Sequence, residues 1–188
     1  MINLPKIYLA SQSARRQQLL QQIGVPYELI TINIDESIKA KESPEAYVTR
    51  MATEKAHAAL LALNDKAKYP ILTADTIVTI NQQILDKPQT KVDYLTGLHQ
   101  LSNNTHQVMT AIGLTCQGKI TTKLCTTQVK FREISTEEMN YYWEHYHPID
   151  KAGGYGIQDF ASVFVEWIRG SYSNVVGLPL TETYQLLT

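Results

Sequence analysis

Long apolar runs are missing from this chain. No stretch approaches the ~20 residues of a membrane-spanning helix. Met1 to Leu20 also lacks the charged start followed by an apolar segment that marks an export signal. No membrane association is expected, and a cytoplasmic location is. Cysteine is scarce. Cys116 and Cys125 are the only two, with no metal-ligand spacing and no matching histidine pair, and are expected to be buried free thiols. Excess charge is missing too. A net charge of −1 excludes a broad basic surface for nucleic acid or anionic lipid, but not a small anionic ligand held by a few local cations. The histidines His57, His99, His106, His145 and His147 show no HExxH spacing, and no GxSxG occurs. The glycines are followed by no GK[ST], and there is no strand–GxGxxG–helix setting. There is no internal repeat and no low-complexity segment.

What is present is an ordinary globular composition. The 188 residues are 44% hydrophobic and 19% charged, enough for one domain over residues 1–188 with a core that needs no disulfide or metal staple. Lys6 to Ala10 reads as a short buried strand. A helix follows, with Ser13 at its N-cap, Leu19, Leu20 and Ile23 on its apolar face and Gly24 after its end. Tyr27 to Ile34 alternates as a strand and ends at Asp35-Glu36. Ser43-Pro44-Glu45 starts a helix that runs to about Leu63. Ile71 to Ile80 is a strand, and a short extended piece closes at Asp86-Lys87-Pro88. Thr90 with Asp93, and Ser135 with Glu138, have capping-box spacing for two further helices. Val108 to Cys116 and Ile120 to Phe131 read as a hairpin turning near Gln117-Gly118. After a glycine-rich loop come a strand over Ser162 to Ile168 and a last helix over Pro179 to Leu187. The alternation of strands and helices around a hairpin indicates a mixed α/β architecture.

Several residues sit awkwardly in that scheme. Arg15 and Arg16 fall in the first turn of the first helix, where the macrodipole disfavours cations. A bound anion, met by free N–H groups, Ser11, Ser13 and the guanidiniums, would resolve the conflict; so would a solvated surface pair. Asp75 interrupts the apolar run Ile71 to Val78. A carboxylate there either binds a metal or acts as a base, or is paired to a neighbour at a bulge. Lys55 lies on or beside the stripe of Val48, Met51, Ala52, Ala56 and Ala59, which snorkelling along the core edge also explains. Lys87 precedes a stiffening proline. The segment from Asp150 to Gln158 places three glycines around Tyr155, near the amide of Gln158; it is either a close approach to a ligand or a flexible connection. Asp35, Glu36 and Asp75 could supply hard oxygen ligands to Mg²⁺. Together these cations, carboxylates and glycines suit a metal-bound polyphosphate attached to a base.

The ordered motifs resemble the Maf family over nearly the whole chain. IYLASQSARRQQLL is similar to that family's LASxSPRRxxLL, Ile34-Asp35-Glu36 to its acidic pair, and Glu54-Lys55-Ala56 to its EKA. Ala74 to Val78 resembles ADTxV, and Leu85 to Pro88 resembles LxKP. Leu101-Ser102, His106 and Thr110 resemble LSGxxHxVxT. The stretch from Asp150 to Leu180 resembles DKAGxYGIQ and GSYxNVVGLPL. Ala14 stands where the family has proline, and Asn103 replaces a glycine; neither change removes a charged group.

The resemblance implies an elongated, two-lobed mixed-sheet fold with a central cleft, like that of inosine triphosphatase. It implies hydrolysis of nucleoside triphosphates to monophosphate and pyrophosphate with a divalent cation, Mg²⁺ or Mn²⁺. A homodimer and a role in restraining septum formation belong to the same implication. By resemblance, Asp75 is the proton acceptor, and Glu36 and Asp75 hold the metal. Ser11, Ser13, Arg16, Lys55 and Lys87 bind phosphate. Arg15, Thr76 and Gln158 match the branch that acts on dTTP and UTP; the branch acting on 7-methyl-GTP carries Trp, Gln and Glu there. A neutral amide suits a uracil or thymine edge, whereas Trp and Glu suit a cationic methylated purine. Two other readings compete: a non-enzymatic nucleotide-binding regulator of cell division, and a pyrophosphatase for modified purine triphosphates.

Overall fold

The computed structural model of the chain describes residues 4–64 and 66–188. In chain order the elements are β1 (Ile7–Leu9), α1 (Ala14–Gln22), β2 (Tyr27–Leu29), α2 (Pro44–Ala62), β3 (Ile71–Ile80) and β4 (Gln83–Leu85). Then come α3 (Lys91–Leu101), β5 (Thr105–Cys116), β6 (Lys119–Phe131), α4 (Thr136–Tyr146), β7 (Val165–Arg169), α5 (Tyr172–Val176) and α6 (Leu180–Leu187). Short 3₁₀ turns cover Pro148–Asp150, Ala152–Gly154 and Phe160–Phe164. One mixed sheet runs β2-β1-β3-β5-β6-β7, with β4 paired to β3. β1 is parallel to β2 and β3; the β3–β5, β5–β6 and β6–β7 pairs are antiparallel. The mixed α/β architecture expected from the sequence is the one observed. No helix among the described residues is long and apolar enough to cross a membrane.

Local chemistry sets most boundaries. Ser43 accepts a hydrogen bond from the Ala46 N–H, and Pro44 opens α2 where its missing N–H costs nothing. Both expected capping boxes form, Thr90 with Asp93 and Ser135 with Glu138. Gln117 and Gly118 take φ of 51° and 77°, the pair of left-handed residues that matches a two-residue hairpin turn to strand twist.

Three expectations need correction. The strand expected over Tyr27 to Ile34 stops at Leu29, because β1 offers only Ile7–Leu9 as a partner and the ladder ends with it. Ile30, Ile32 and Ile34 still pack on apolar clusters without a ladder. The strand expected from Ser162 begins at Val165, because Asp159 accepts from the Ala161 N–H and starts a 3₁₀ turn. Of the thiols, both are free, but Cys116 is exposed at the end of β5 and Cys125 is half-buried.

Strand alternation then builds two cores on one face of the sheet. Leu72 and Ala74 of β3 join Ile112 and Leu114 of β5 beneath α1, with Ile7, Leu9, Leu20 and Leu178. Val78 and Ile80 join Val108 in a second cluster, with Tyr94, Leu98, Phe131, Tyr142 and Phe164. Between them on the same face stand Thr76 and Thr110, paired directly across β3 and β5. Buried Thr127 of β6 and buried Asn174 of α5 extend this polar seam across the sheet. The opposite face carries Ile77, Met109 and Ala111 against Val48, Met51 and Ala52 of α2. The line of threonines sets a polar strip between the buried members of the two clusters, which Val165, Ile168 and Val175 bridge from β7 and α5.

Candidate functional site

Asp75 points from the middle of β3 to the α2 side. The Nζ of Lys55 on α2 lies 2.6 Å from Asp75 Oδ1 and 2.7 Å from Glu36 Oε1. The Lys55 and Asp75 side chains are only 14% and 13% exposed, so the pair is largely withdrawn from water. This contact makes the strand aspartate tolerable: a buried carboxylate is costly alone and far less so beside an ammonium. Lys55 does not merely snorkel along the core edge; its charged end is the centre of the cluster. Asp75 Oδ2 has no hydrogen-bond partner among the described residues.

Glu36 comes from the irregular segment after β2, and a set of side chains on α2 holds it there. The Tyr47 hydroxyl donates to the Glu36 carbonyl at 2.8 Å, and Arg50 donates to the Ser37 carbonyl at 2.9 Å. Arg50 also makes two 2.6 Å hydrogen bonds to Glu42. Burial pushes the Glu36 carboxyl up, but Lys55, with Lys87 and Arg16 beyond it, outweighs that and holds it below its ordinary value. Asp35 is turned away, accepting from Ser37 N–H and Oγ at 2.9 and 3.0 Å, so it leaves the site to Glu36. Tyr47, Arg50 and Glu42 were not singled out from the sequence; a tyrosine and an arginine on a helix near an acidic loop carry no signature by themselves.

The start of α1 forms a third wall. Ser13 occupies the N-cap position, but its side chain makes no capping bond; its N–H instead donates to Ser11 Oγ at 3.2 Å. No acidic side chain lies in the first turn, so the N–H groups there keep their anion-attracting character. Arg16 turns inward. Its Nε donates to the Gly177 carbonyl at 2.8 Å, Nη1 to Ser11 Oγ at 3.0 Å and Nη2 to Thr76 Oγ1 at 3.1 Å. It is therefore a strut between α1, β3 and the turn after α5, with one hydrogen left on each of Nη1 and Nη2. Arg15 faces the mouth and pairs with Asp150 at 3.0 Å, and Lys151 meets the same carboxylate at 2.9 Å.

The segment from Asp150 to Gln158 closes the remaining side. Its glycines pack against protein: a Cβ on Gly153 (φ 64°) would sit 2.8 Å from Val78, and one on Gly154 would sit 3.1 Å from Tyr94. Gly153 and Gly154 seat this turn on the second core, and Gly156 is the one of the three that lines the cavity. Tyr155 is buried, and its hydroxyl lies 2.7 Å from His106 Nε2 in a cluster with Phe131. Gln158 is exposed, with no hydrogen bond among the described residues. Lys87 forms no salt bridge among them either.

A cavity of about 130 Å³ is lined by Ser13, Arg15, Arg16, Lys55, Asp75, Thr76, Lys87 and Gln158. An adjoining cavity of about 540 Å³ shares Ser13, Arg15, Arg16, Lys55 and Lys87 and adds Ser11 and Glu36. Every site residue expected from the sequence thus lies on one of two joined cavities. A third space of about 340 Å³ reaches the other side of Asp75 past Tyr47, Asp86 and Gln89.

The donor set for a metal is partial. Among the described residues no group of three histidine, cysteine, aspartate or glutamate side chains is placed to hold an ion. Glu36 and Asp75 do converge, on the Lys55 ammonium, and offer hard carboxylate oxygens of the kind Mg²⁺ takes alongside phosphate and water ligands. The residues therefore fit a cation held jointly with a polyphosphate, and not one caged by protein alone.

The family model described as Maf-like protein matches residues 6–188. A Saccharophagus degradans protein named dTTP/UTP pyrophosphatase is 47% identical over 98% of this chain and 89% of its own length. Proteins of the same name from Salmonella typhimurium and Vibrio cholerae are 45% and 44% identical, covering 97% and 99% of this chain and 91% and 98% of theirs. Among solved structures, the Staphylococcus aureus Ham1 protein aligns with a TM-score of 0.48 at 16% identity, covering 67% of this chain and 71% of that one. The match runs from β1 to the last residue and includes every element that lines the two cavities, so the chain belongs to the Maf-like family.

Proposed function

We propose that this protein hydrolyses dTTP and UTP to the nucleoside monophosphate and pyrophosphate. One observation carries the reading. Three cations, two carboxylates and the start of α1 converge on joined cavities, and Arg15, Thr76 and Gln158 line the smaller of the two with them. The first group suits a triphosphate and the second a base. The names of the relatives support the same substrates.

In this reading the triphosphate lies along Lys55, Lys87 and the α1 N-terminus. Ser11 and Ser13 donate to its oxygens, and Arg16 adds the hydrogens it does not spend as a strut. Asp75 accepts the proton of the attacking water through Oδ2, the oxygen that Lys55 leaves free. Glu36 and Asp75 would hold a divalent cation, which would offset phosphate charge and lower the pKa of nearby water. Lys55 and Lys87 stabilise the charge that develops on the departing pyrophosphate. The exposed amide of Gln158 meets the base edge, and Arg15 flanks it.

The test is product analysis across a panel of triphosphates with Mg²⁺ or Mn²⁺. Pyrophosphate with dTMP and UMP is the expected result. Orthophosphate with a diphosphate product, or preference for 7-methyl-GTP, would overturn it. Absence of turnover with tight dTTP binding would favour the regulator instead.

A further inference from the structure

Thr76 is held in a chain of hydrogen bonds whose directions can be worked out. At one end the Asn174 main-chain carbonyl can only accept, so Thr110 Oγ1, 3.1 Å away, donates its single hydrogen to it. Thr110 Oγ1 also lies 3.0 Å from Thr76 Oγ1. With its own hydrogen committed, Thr110 must accept there, and Thr76 must donate. At the other side of Thr76, Arg16 Nη2 at 3.1 Å can only donate. The remaining nearby partner, the Gly177 carbonyl at 3.4 Å, can again only accept and already takes Arg16 Nε at 2.8 Å. The 3.0 Å contact to Thr110 is the shorter of the two and its acceptor is otherwise unspent, so it takes the Thr76 hydrogen and points it into the protein.

We infer that Thr76 presents only a lone pair to the cavity, and that buried Thr110 fixes this polarity and so acts as a positioning residue for base selection. The inference rests on the proposed dTTP and UTP activity and extends it. An acceptor on the cavity wall matches an N–H on the ligand. Uracil and thymine carry such a donor at their ring imide; cytosine has an acceptor at the same ring position. The seam thus selects for imide-bearing bases and against cytosine. Thr110 is wholly buried and lines neither of the two joined cavities, so it reaches the base only through Thr76. Neither the charge of the site nor its volume would separate UTP from CTP, because the two differ in the direction of hydrogen bonds at one edge.

The experiment compares kcat/KM for UTP and CTP in the wild type, Thr110→Val and Thr110→Ser. Valine keeps the β-branched shape on β5 and removes the hydroxyl, which leaves the Thr76 hydrogen only the long 3.4 Å contact to a Gly177 carbonyl already taken by Arg16, so that a ligand acceptor in the cavity can compete for it. The wild-type preference for UTP should fall by about 5- to 20-fold in Thr110→Val, mainly through a gain on CTP, and return in Thr110→Ser. A merely structural role would lower both substrates together and leave the ratio unchanged, and that outcome overturns the inference while the pyrophosphatase reading stands. A wild type that turns over neither substrate removes the reading itself. If Thr110→Val does not fold, the wild type decides. UTP should exceed CTP by at least about 10-fold, with 3-methyl-UTP, which lacks the imide hydrogen, as poor as CTP. Equal use of UTP and CTP by the wild type overturns the inference.

Discussion

Lys55 stands between Glu36 and Asp75, its ammonium 2.7 Å from the one and 2.6 Å from the other. It ties the loop after β2 to the centre of β3, two parts of the chain that share no ladder. One cation brings the two carboxylates together. Removing either carboxylate leaves the other still paired, so the effects of such changes on chemistry and on stability can be separated.

Asp75→Asn is expected to abolish turnover and leave the fold intact. The amide keeps the shape but cannot take a proton from water and binds a cation poorly. Loss of the base alone is worth about 10²–10⁴ in rate. Lys55 keeps Glu36, so the melting temperature should change little. Pyrophosphate release near the wild-type rate would remove Asp75 from the mechanism.

Gln158→Glu tests the base edge directly. The side chain is exposed and carries no internal hydrogen bond among the described residues, so its replacement disturbs no packing. A carboxylate would place an acceptor against a pyrimidine carbonyl, at a cost of roughly 1–3 kcal/mol. Activity on dTTP and UTP should drop by about 5- to 150-fold, and on CTP by less. An equal loss on all triphosphates would assign Gln158 to the loop or to phosphate.

Arg50→Ala should act on the metal requirement from a distance. Arg50 clasps Glu42 and the Ser37 carbonyl, and through them sets where Glu36 lies. Without it the Mg²⁺ concentration for half-maximal rate should rise on the order of 10-fold, with a smaller change at saturating metal. A titration curve that superimposes on the wild type would show that Glu36 is held by other means.

His106 makes the protein sensitive to mild acid. Burial lowers its pKa from about 6.5 to about 3, and its Nδ1 has no partner among the described residues. Between those values the unfolded chain takes up a proton that the folded one refuses. Its contribution is therefore complete above pH 6.5 and is lost progressively as the pH falls toward 3. From about pH 7.5 to about pH 5 this amounts to roughly 2 kcal/mol. Urea melts of His106→Phe should lack that part of the slope, while starting from a lower value because the Tyr155 hydroxyl has lost its partner. Parallel pH profiles in the two proteins would place the acid sensitivity elsewhere.

Much of this was legible in the sequence because it was written locally. The capping boxes at Thr90 and Ser135, the proline at the start of α2 and the Gln117-Gly118 turn each act within a few residues and form as expected. Asp75 announced itself by breaking an apolar strand. What could not be read was set by distant partners. Asp35 and Glu36 look equivalent in the chain, yet a turn at Ser37 takes one and Lys55 the other. The glycines near Tyr155 suggested room for a ligand, but Val78 and Tyr94, far away in sequence, fill that space at Gly153 and Gly154. Thr110 and Asn174 matched the family's motifs but had no assigned role until the sheet placed Thr110 between Thr76 and the Asn174 carbonyl.

The polar seam has a mechanical side. β3 and β5 pass from one apolar core to the other with their ladder unbroken, from Ile71 opposite Thr115 to Thr79 opposite Gln107. Neither core can melt alone without leaving half of each strand stripped of its packing, with the other half still fastened. The two cores are therefore welded into one cooperative unit, and heat or denaturant should take the molecule apart in a single step.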